Sequence, residues 1–229
     1  RHMNSLSEAE MLAASEAAAS ALADAVMPQQ PPPLDTTIVI LGAGLSGVSL
    51  AAAFSADGVV DINILEKTTA IGGVWAHFGN SFSRVNVSGP GYQLPASRAR
   101  VRASLMHPYH HDILADVLDV LQTHHLTNRI HLKTEVRSVA AGNTQVSSWI
   151  VSGFVNGSSS FETTCKLVCV CTNRRLGAPR EVTFTHEECF AGTICRGLAD
   201  DTKLLKWADK HVVIIGMGAY AVEIMRTAL

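Results

Sequence analysis

The chain has 229 residues with 18 basic and 20 acidic side chains, a formal charge of −2 with histidine neutral, and so lacks the basic excess of a nucleic-acid surface. Hydrophobic residues at 47% against 17% charged exclude a disordered or coiled-coil chain, and the length fits between one and two domains of about 150 residues. The five cysteines form an odd set without a CxxC pair, which suggests neither a disulfide framework nor a zinc ribbon; they read as reduced thiols of an intracellular, cytoplasmic protein, and no apolar run reaches the roughly 18 residues of a membrane span.

Residues Ser5 to Met27 are alanine-rich with Glu8, Glu10, Glu16 and Asp24 interspersed, which predicts a surface helix with small side chains. The acidic residues argue against a secretory or organellar leader. Pro28 and Pro31-Pro32-Pro33 stop the helix, so residues 1–34 form an Ala/Pro-rich extension and the folded domain begins near Asp35.

Thr37-Ile38-Val39-Ile40-Leu41 is a β-branched, apolar run with no alternation, the pattern of a strand buried on both faces of a parallel sheet. It runs into Gly42-Ala43-Gly44-Leu45-Ser46-Gly47, then a helix over Val48 to Ala56 capped by Gly58, then a second strand, Asp61 to Leu65, closed by Glu66. In a βαβ unit of this kind Gly42 makes the tight turn, Gly44 admits the pyrophosphate and Gly47 lets helix and strand approach. The helix N-terminus faces the phosphate charge, and an acid about 20 residues on, here Glu66, takes the ribose hydroxyls.

Past the acid, Lys67 leads to Thr68-Thr69-Ala70-Ile71-Gly72-Gly73-Val74-Trp75. The run from Glu66 to Trp75, following the first GxGxxG, resembles the flavin-containing monooxygenase family, the FAD- and NADPH-dependent class B flavoprotein monooxygenases that include Baeyer-Villiger-type relatives. The resemblance implies a cofactor set of Gly42, Gly44, Leu45, Ser46 and Gly47 on the first turn and Glu66, Lys67, Gly73, Val74 and Trp75 beyond it. A role for Trp75 as a core anchor alone is the alternative reading. Disulfide reductases share the architecture but need a redox cysteine pair soon after the Gly-Gly, and no cysteine lies between Gly72 and His107.

Phe82 to Val87 and Tyr92 to Pro95 sit among glycine, serine and proline and read as loops over the flavin. The resemblance implies a polar residue here that faces the reactive ring, and Asn86 is the candidate catalytic residue; satisfaction of loop backbone is the alternative role. From Pro108, apolar Ile113, Leu114, Val117, Leu118 and Leu121 predict a helix packed on the sheet. Its histidines, His110, His111, His124 and His125, come in adjacent pairs rather than four apart, so they are expected to be solvated and no metal site is expected. Three strands follow, Ile130–Val139, Gln145–Val155 and Phe161–Cys171, with turns at Ala141-Gly142-Asn143 and Asn156-Gly157-Ser158. The resemblance places them as a small sheet crossing the FAD domain. Leu167 to Cys171 reads as a fully buried parallel strand, with Cys169 and Cys171 as core residues. It ends in Thr172-Asn173 where the family has threonine-glycine.

Phe190 to Arg196 resembles the family's FxGxxxH signature with arginine in place of histidine, a change that suits a charged contact to phosphate or carboxylate. His211 to Ile215 is expected to be a second buried strand, and Gly216-Met217-Gly218-Ala219-Tyr220-Ala221 repeats the phosphate turn, with Gly216, Gly218 and Ala221 at the fingerprint positions. The predicted fold is therefore α/β, a two-dinucleotide Rossmann-like flavoprotein with a parallel sheet, a small crossing sheet and a truncated second nucleotide domain. Residues 35–175 would bind FAD and residues 176–229 would begin the NADPH domain, the chain being an N-terminal fragment. By resemblance the parent enzyme uses FAD, NADPH and O2 to form a flavin hydroperoxide and oxygenates a small molecule at a soft nitrogen, sulfur or ketone. An NADPH oxidase without oxygenation and a non-catalytic nucleotide-binding chain are the alternatives.

Overall fold

The unbroken apolar run over 37–41 has the place its composition requires. Strand β1 (Asp35–Leu41) lies inside a six-stranded sheet, with Val39 and Ile40 fully buried and both edges paired. In the computed structural model, which describes residues 8–25, 31–80, 83–86, 92–94, 107–142, 148–172, 182–196 and 206–228, the other strands are β2 (Ile62–Leu65), β3 (Ile130–His131), β4 (Thr134–Ala141), β5 (Trp149–Val155) and β6 (Ser159–Val170). The order is β3-β2-β1-β6-β5-β4. β3, β2, β1 and the second half of β6 run parallel, with Ile40 opposite both Ile64 and Cys169, whereas β4, β5 and the first half of β6 form an antiparallel meander. Asn156 and Gly157 turn the β5–β6 hairpin with both residues at positive φ, as the Asn-Gly pair predicts.

Side-chain alternation along β1 divides the core into two layers. Ile38 and Ile40 join Ile62 and Ile64 beneath the helices, with Val48, Ala51 and Ala52 of α2 (Leu45–Ala56) and Leu114, Val117, Val120 and Leu121 of α4 (His110–Thr123). Val39, Leu41 and Leu65 instead pack with Val151, Val155, Phe161 and Cys165. The meander therefore folds across the face opposite the helices, which is the crossing sheet expected from the sequence. Small residues on α2 let that helix approach β1, and each large aliphatic side chain buried on α4 contributes about 1.5–3 kcal/mol.

α4 begins where the Tyr109 backbone N–H donates to Asp112 Oδ2 at 2.9 Å, and it packs on α2, on the short α3 (Val74–His77) and on α1 (Glu8–Ala25). α1 is exposed over most of its described surface, but it is anchored: Leu22 is buried and Ala18 packs against the helical core layer.

Several expectations are corrected. His110 and His111 are not solvated but 5% and 8% exposed, because the first turn of α4 is covered by α1 and by the 83–85 segment; His111 stacks on Tyr109 at 5.2 Å, and His110 Nδ1 lies 3.4 Å from Ser15 Oγ. The strand expected over 130–139 is two strands, β3 and β4, because a turn at Leu132-Lys133, with Lys133 at positive φ, interrupts it and the pairing partner changes from β2 to β5. Leu167 and Val170 are exposed rather than fully buried, since the meander leaves this end of β6 behind. His211 to Ile215 forms no strand, having no sheet partner among the described residues, and Val213 is 84% exposed. Asn173 lies outside the described residues.

Candidate dinucleotide site

The first turn is formed by β1 entering α2. Gly42 has φ +103°, a region that L side chains rarely adopt, and a Cβ there would lie 2.8 Å from the Cys171 carbonyl oxygen at the end of β6. A Cβ at Gly47 would overlap the Gly42 carbonyl oxygen, so strand and helix approach as closely as glycine allows. Gly44 caps α2, whose first internal bond is from Val48 N–H to Gly44 C=O. The amides of Leu45, Ser46 and Gly47 are the ones a helix leaves unpaired in its first turn, and together with the helix dipole they suit an anion.

The second loop closes on the first. Gly72 N–H donates to Ala43 C=O at 2.9 Å, and a Cβ at Gly73 would stand 3.0 Å from Gly44 Cα, so the two glycine segments lie in contact. Leu114 of α4 supports this from behind, within 2.5 Å of where a Gly72 Cβ would be. Between the loops sits Glu66, buried at the end of β2. Its Oε2 accepts from Ala43 N–H at 2.8 Å, and its Oε1 accepts from Thr68 N–H at 2.9 Å and from the Thr68 hydroxyl at 2.7 Å. A carboxylate offers about four lone-pair sites, so these three donors fix its orientation and leave capacity for one ribose hydroxyl. His77 Nε2 lies 2.7 Å from the Thr68 hydroxyl and extends the network onto α3.

Trp75 is half-buried, packs against the helical core layer and donates from its indole N–H to the Tyr92 hydroxyl at 2.9 Å, the rings meeting edge to face at 5.6 Å. Lys67 and Ser46 are exposed, and Leu45 and Val74 are partly exposed beside the two loops. The structure thus brings Gly42, Gly44, Leu45, Ser46, Gly47, Glu66, Gly73, Val74 and Trp75 to one end of β1 and β2. Asn86 is exposed, at the end of a segment held by Arg84: its guanidinium lies over the Tyr109 ring at 4.0 Å and donates to the Tyr109 hydroxyl, and Val85 N–H donates to Pro108 C=O.

The second turn has the same spacing and a different environment. Gly216 has φ +126° and α5 (Ala219–Ala228) follows, as a phosphate turn requires. Yet among the described residues a Cβ at Gly216 would come no nearer than 4.0 Å to a neighbour, Ala221 Cβ being the atom reached, and one at Gly218 would meet no atom within 4 Å. Ile215 and Met217 are exposed. Arg196 takes a carboxylate partner, Glu187 Oε1 at 2.6 Å. The Phe184 N–H donating to Glu187 Oε2, and after it the Arg196 bond, hold the Glu187 carboxyl below its ordinary value.

Sequence reasoning missed the partners that hold these residues. Thr68 could have been found, since a hydroxyl two residues from an acid is a common local hydrogen-bonding pattern. The Tyr92–Trp75 bond, the Cys171 carbonyl against Gly42, and the contact of Glu223 with Arg84 span long stretches of chain and leave no local signal.

Comparison with known proteins bears on this geometry. A family model described as an NAD(P)-binding Rossmann-like domain matches residues 40–121, which hold the first turn, Glu66, the Gly-Gly loop and most of α4. The fold is Rossmann-like. Among solved structures the chain is similar to a steroid monooxygenase bound to NADP, at 22% identity and TM-score 0.52, over 60% of this chain and 26% of that one. It is also similar to an S-allyl-L-cysteine S-oxygenase from Allium sativum, at 19% identity and TM-score 0.50, over 61% and 36%, and to a cyclohexanone monooxygenase mutant from Rhodococcus sp. Phi1 bound to NADP+, at 18% and 0.50, over 60% and 26%. The chain thus spans about a quarter to a third of these structures, and at such identities the likeness is one of fold. No curated protein matches the chain. No helix among the described residues is long and apolar enough to cross a membrane.

Proposed function

We propose that the chain belongs to an FAD- and NADPH-dependent monooxygenase of the flavin-containing monooxygenase type, which places one oxygen atom from O2 on a soft nitrogen or sulfur, or into a ketone, of a small molecule. Residues 35–175 bind FAD and residues 176–229 begin the NADPH-binding part. The observation that carries this reading is the closure of the Gly42–Gly47 turn on Gly72-Gly73 around the oriented Glu66 carboxylate. That arrangement gives a pyrophosphate backbone donors and glycine clearance, and gives a ribose one acceptor. Solved structures of similar fold carry monooxygenase and S-oxygenase titles, which supports the choice among dinucleotide enzymes.

FAD bound there supplies the electron-transfer and oxygen chemistry. The chain's own residues bind and orient. The amides of Leu45, Ser46 and Gly47 would hold the pyrophosphate, Glu66 would take the ribose, and Val74 and Trp75 would give the cofactor an apolar lining, Trp75 being held in place by Tyr92. The Asn86 amide, exposed at the end of its segment, would supply a hydrogen-bond donor to the cofactor. Gly216, Gly218 and Ala221 receive the phosphates of NADPH.

A second reading, a nucleotide-binding chain without turnover, is supported by the exposure of Val213, Ile215 and Met217 around the second turn. Incubating the chain with FAD, removing the excess, adding NADPH anaerobically and then admitting air with a thioether, a tertiary amine or a ketone separates the readings. Bleaching of retained flavin followed by an oxygenated product fits the monooxygenase. Bleaching with peroxide alone indicates an oxidase, and retained flavin that never bleaches indicates binding without turnover.

A further inference from the structure

Glu223 lies on α5, two residues beyond Ala221, the last fingerprint position of the second turn, yet its partner belongs to the first domain: its buried carboxylate accepts the Arg84 backbone N–H through Oε2 at 2.6 Å. Arg84 is the residue through which the 83–86 segment is built into the protein. It bridges Tyr109 in antiparallel fashion, its guanidinium caps the Tyr109 ring, and the flanking bonds from His110 N–H to Ser83 C=O and from Val85 N–H to Pro108 C=O extend the pairing. His107 Nδ1 lies 2.9 Å from the Val85 carbonyl oxygen. The segment therefore has one edge on the entry to α4 and the other on α5, and Asn86 is the next residue along it.

We infer that Glu223 is a positioning residue, which couples the helix of the second phosphate turn to the segment carrying Asn86. A backbone amide bound to a carboxylate is a strong, directional contact, and burial sharpens it by removing competing water. Because α5 begins just after Gly218, a nucleotide that orders the second turn orders the position of Glu223, and through the Arg84 amide the position of Asn86. The contact is to main chain, so it sets the course of the segment whatever side chain stands at 84. The coupling to nucleotide rests on the reading of Gly216–Ala221 as a phosphate turn; the Glu223–Arg84 connection does not.

Hydrogen exchange on the full chain tests both parts, with NADP+ as the probe. Removing a hydrogen bond to a charged group should raise Arg84 amide exchange about tenfold or more in Glu223→Ala. Glu223→Gln, which keeps an acceptor, should stay within about threefold of the parent. The β5–β6 amides should be unchanged in both, which shows that the variants fold. NADP+ should slow exchange over 83–86 in the parent and in Glu223→Gln, and not in Glu223→Ala. Equal Arg84 exchange in the parent and Glu223→Ala, or an equal NADP+ effect on 83–86 in both, overturns the inference. Failure of NADP+ to bind the parent chain contradicts the proposed second site, and leaves the connection to be decided by the Arg84 amide alone.

Discussion

The two glycine fingerprint turns of this chain share a spacing and differ in what surrounds them among the described residues. Gly42–Gly47 is pressed between the end of β6, the N-terminus of α2 and the Gly72-Gly73 loop, so that added methyl groups at Gly42 and Gly47 meet backbone. Gly216–Ala221 has the same fingerprint spacing and a positive φ at its first residue, but among the described residues its glycines have open space around them, and the run before it is largely exposed. A fingerprint thus encodes the local shape of a turn, whereas a binding site also needs the strand, the second loop and the acid that fix the turn in place. The third position illustrates the point: the second turn carries alanine there, whereas an alanine at 47 would overlap the Gly42 carbonyl.

The contrast can be broken most severely by making the first turn copy the second. Gly47→Ala forces β1 and α2 apart and should destabilise the chain by about 3 kcal/mol or more, measured by denaturant unfolding, with loss of FAD retention. Glu66→Ala should cost about 2 kcal/mol, because the Ala43 and Thr68 amides lose their acceptor inside the fold, and should weaken FAD at least tenfold in a titration.

A smaller effect should appear with acid. Burial opposes ionisation of Asp61, but the Thr36 hydroxyl at 2.8 Å and the Thr37 amide at 2.6 Å donate to its carboxylate, and the balance lowers its pKa. A carboxyl whose folded pKa is depressed contributes stability that is complete above the unfolded value of about 4 and is lost as pH falls through the folded value. Asp61→Asn should therefore flatten the acid limb of the stability curve below about pH 4, while leaving its shape near neutrality unchanged. At the second turn the smallest effect is expected: Gly218→Ala meets open space and should change stability by no more than about 0.5 kcal/mol. A loss comparable to that of Gly47→Ala would show that the second turn is packed in solution and would erase the contrast.

How much was legible in the sequence follows from the range of each interaction. β1, α2, β2, α4 and the Asn156-Gly157 hairpin were readable because period, glycine placement and turn chemistry are local. The placement of the first-turn glycines and of Glu66 in one βαβ unit was readable for the same reason. The burial of His110 and His111 was not, since α1 and the 83–85 segment that cover them lie far off in the chain. The run 211–215 shows the reverse failure: its composition is that of a buried strand, but burial needs neighbouring strands, and among the described residues it has none. Arg196 departs from the family's histidine and finds a partner, Glu187, nine residues away that no motif would have named.

The measurement closest to the central claim is the amount of flavin the chain keeps after incubation with FAD and gel filtration, read from its visible absorbance, for the parent, Gly47→Ala and Gly218→Ala. A formed first site predicts one flavin per chain in the parent and in Gly218→Ala and almost none in Gly47→Ala. No retained flavin in the parent, or equal retention in folded Gly47→Ala, would contradict it.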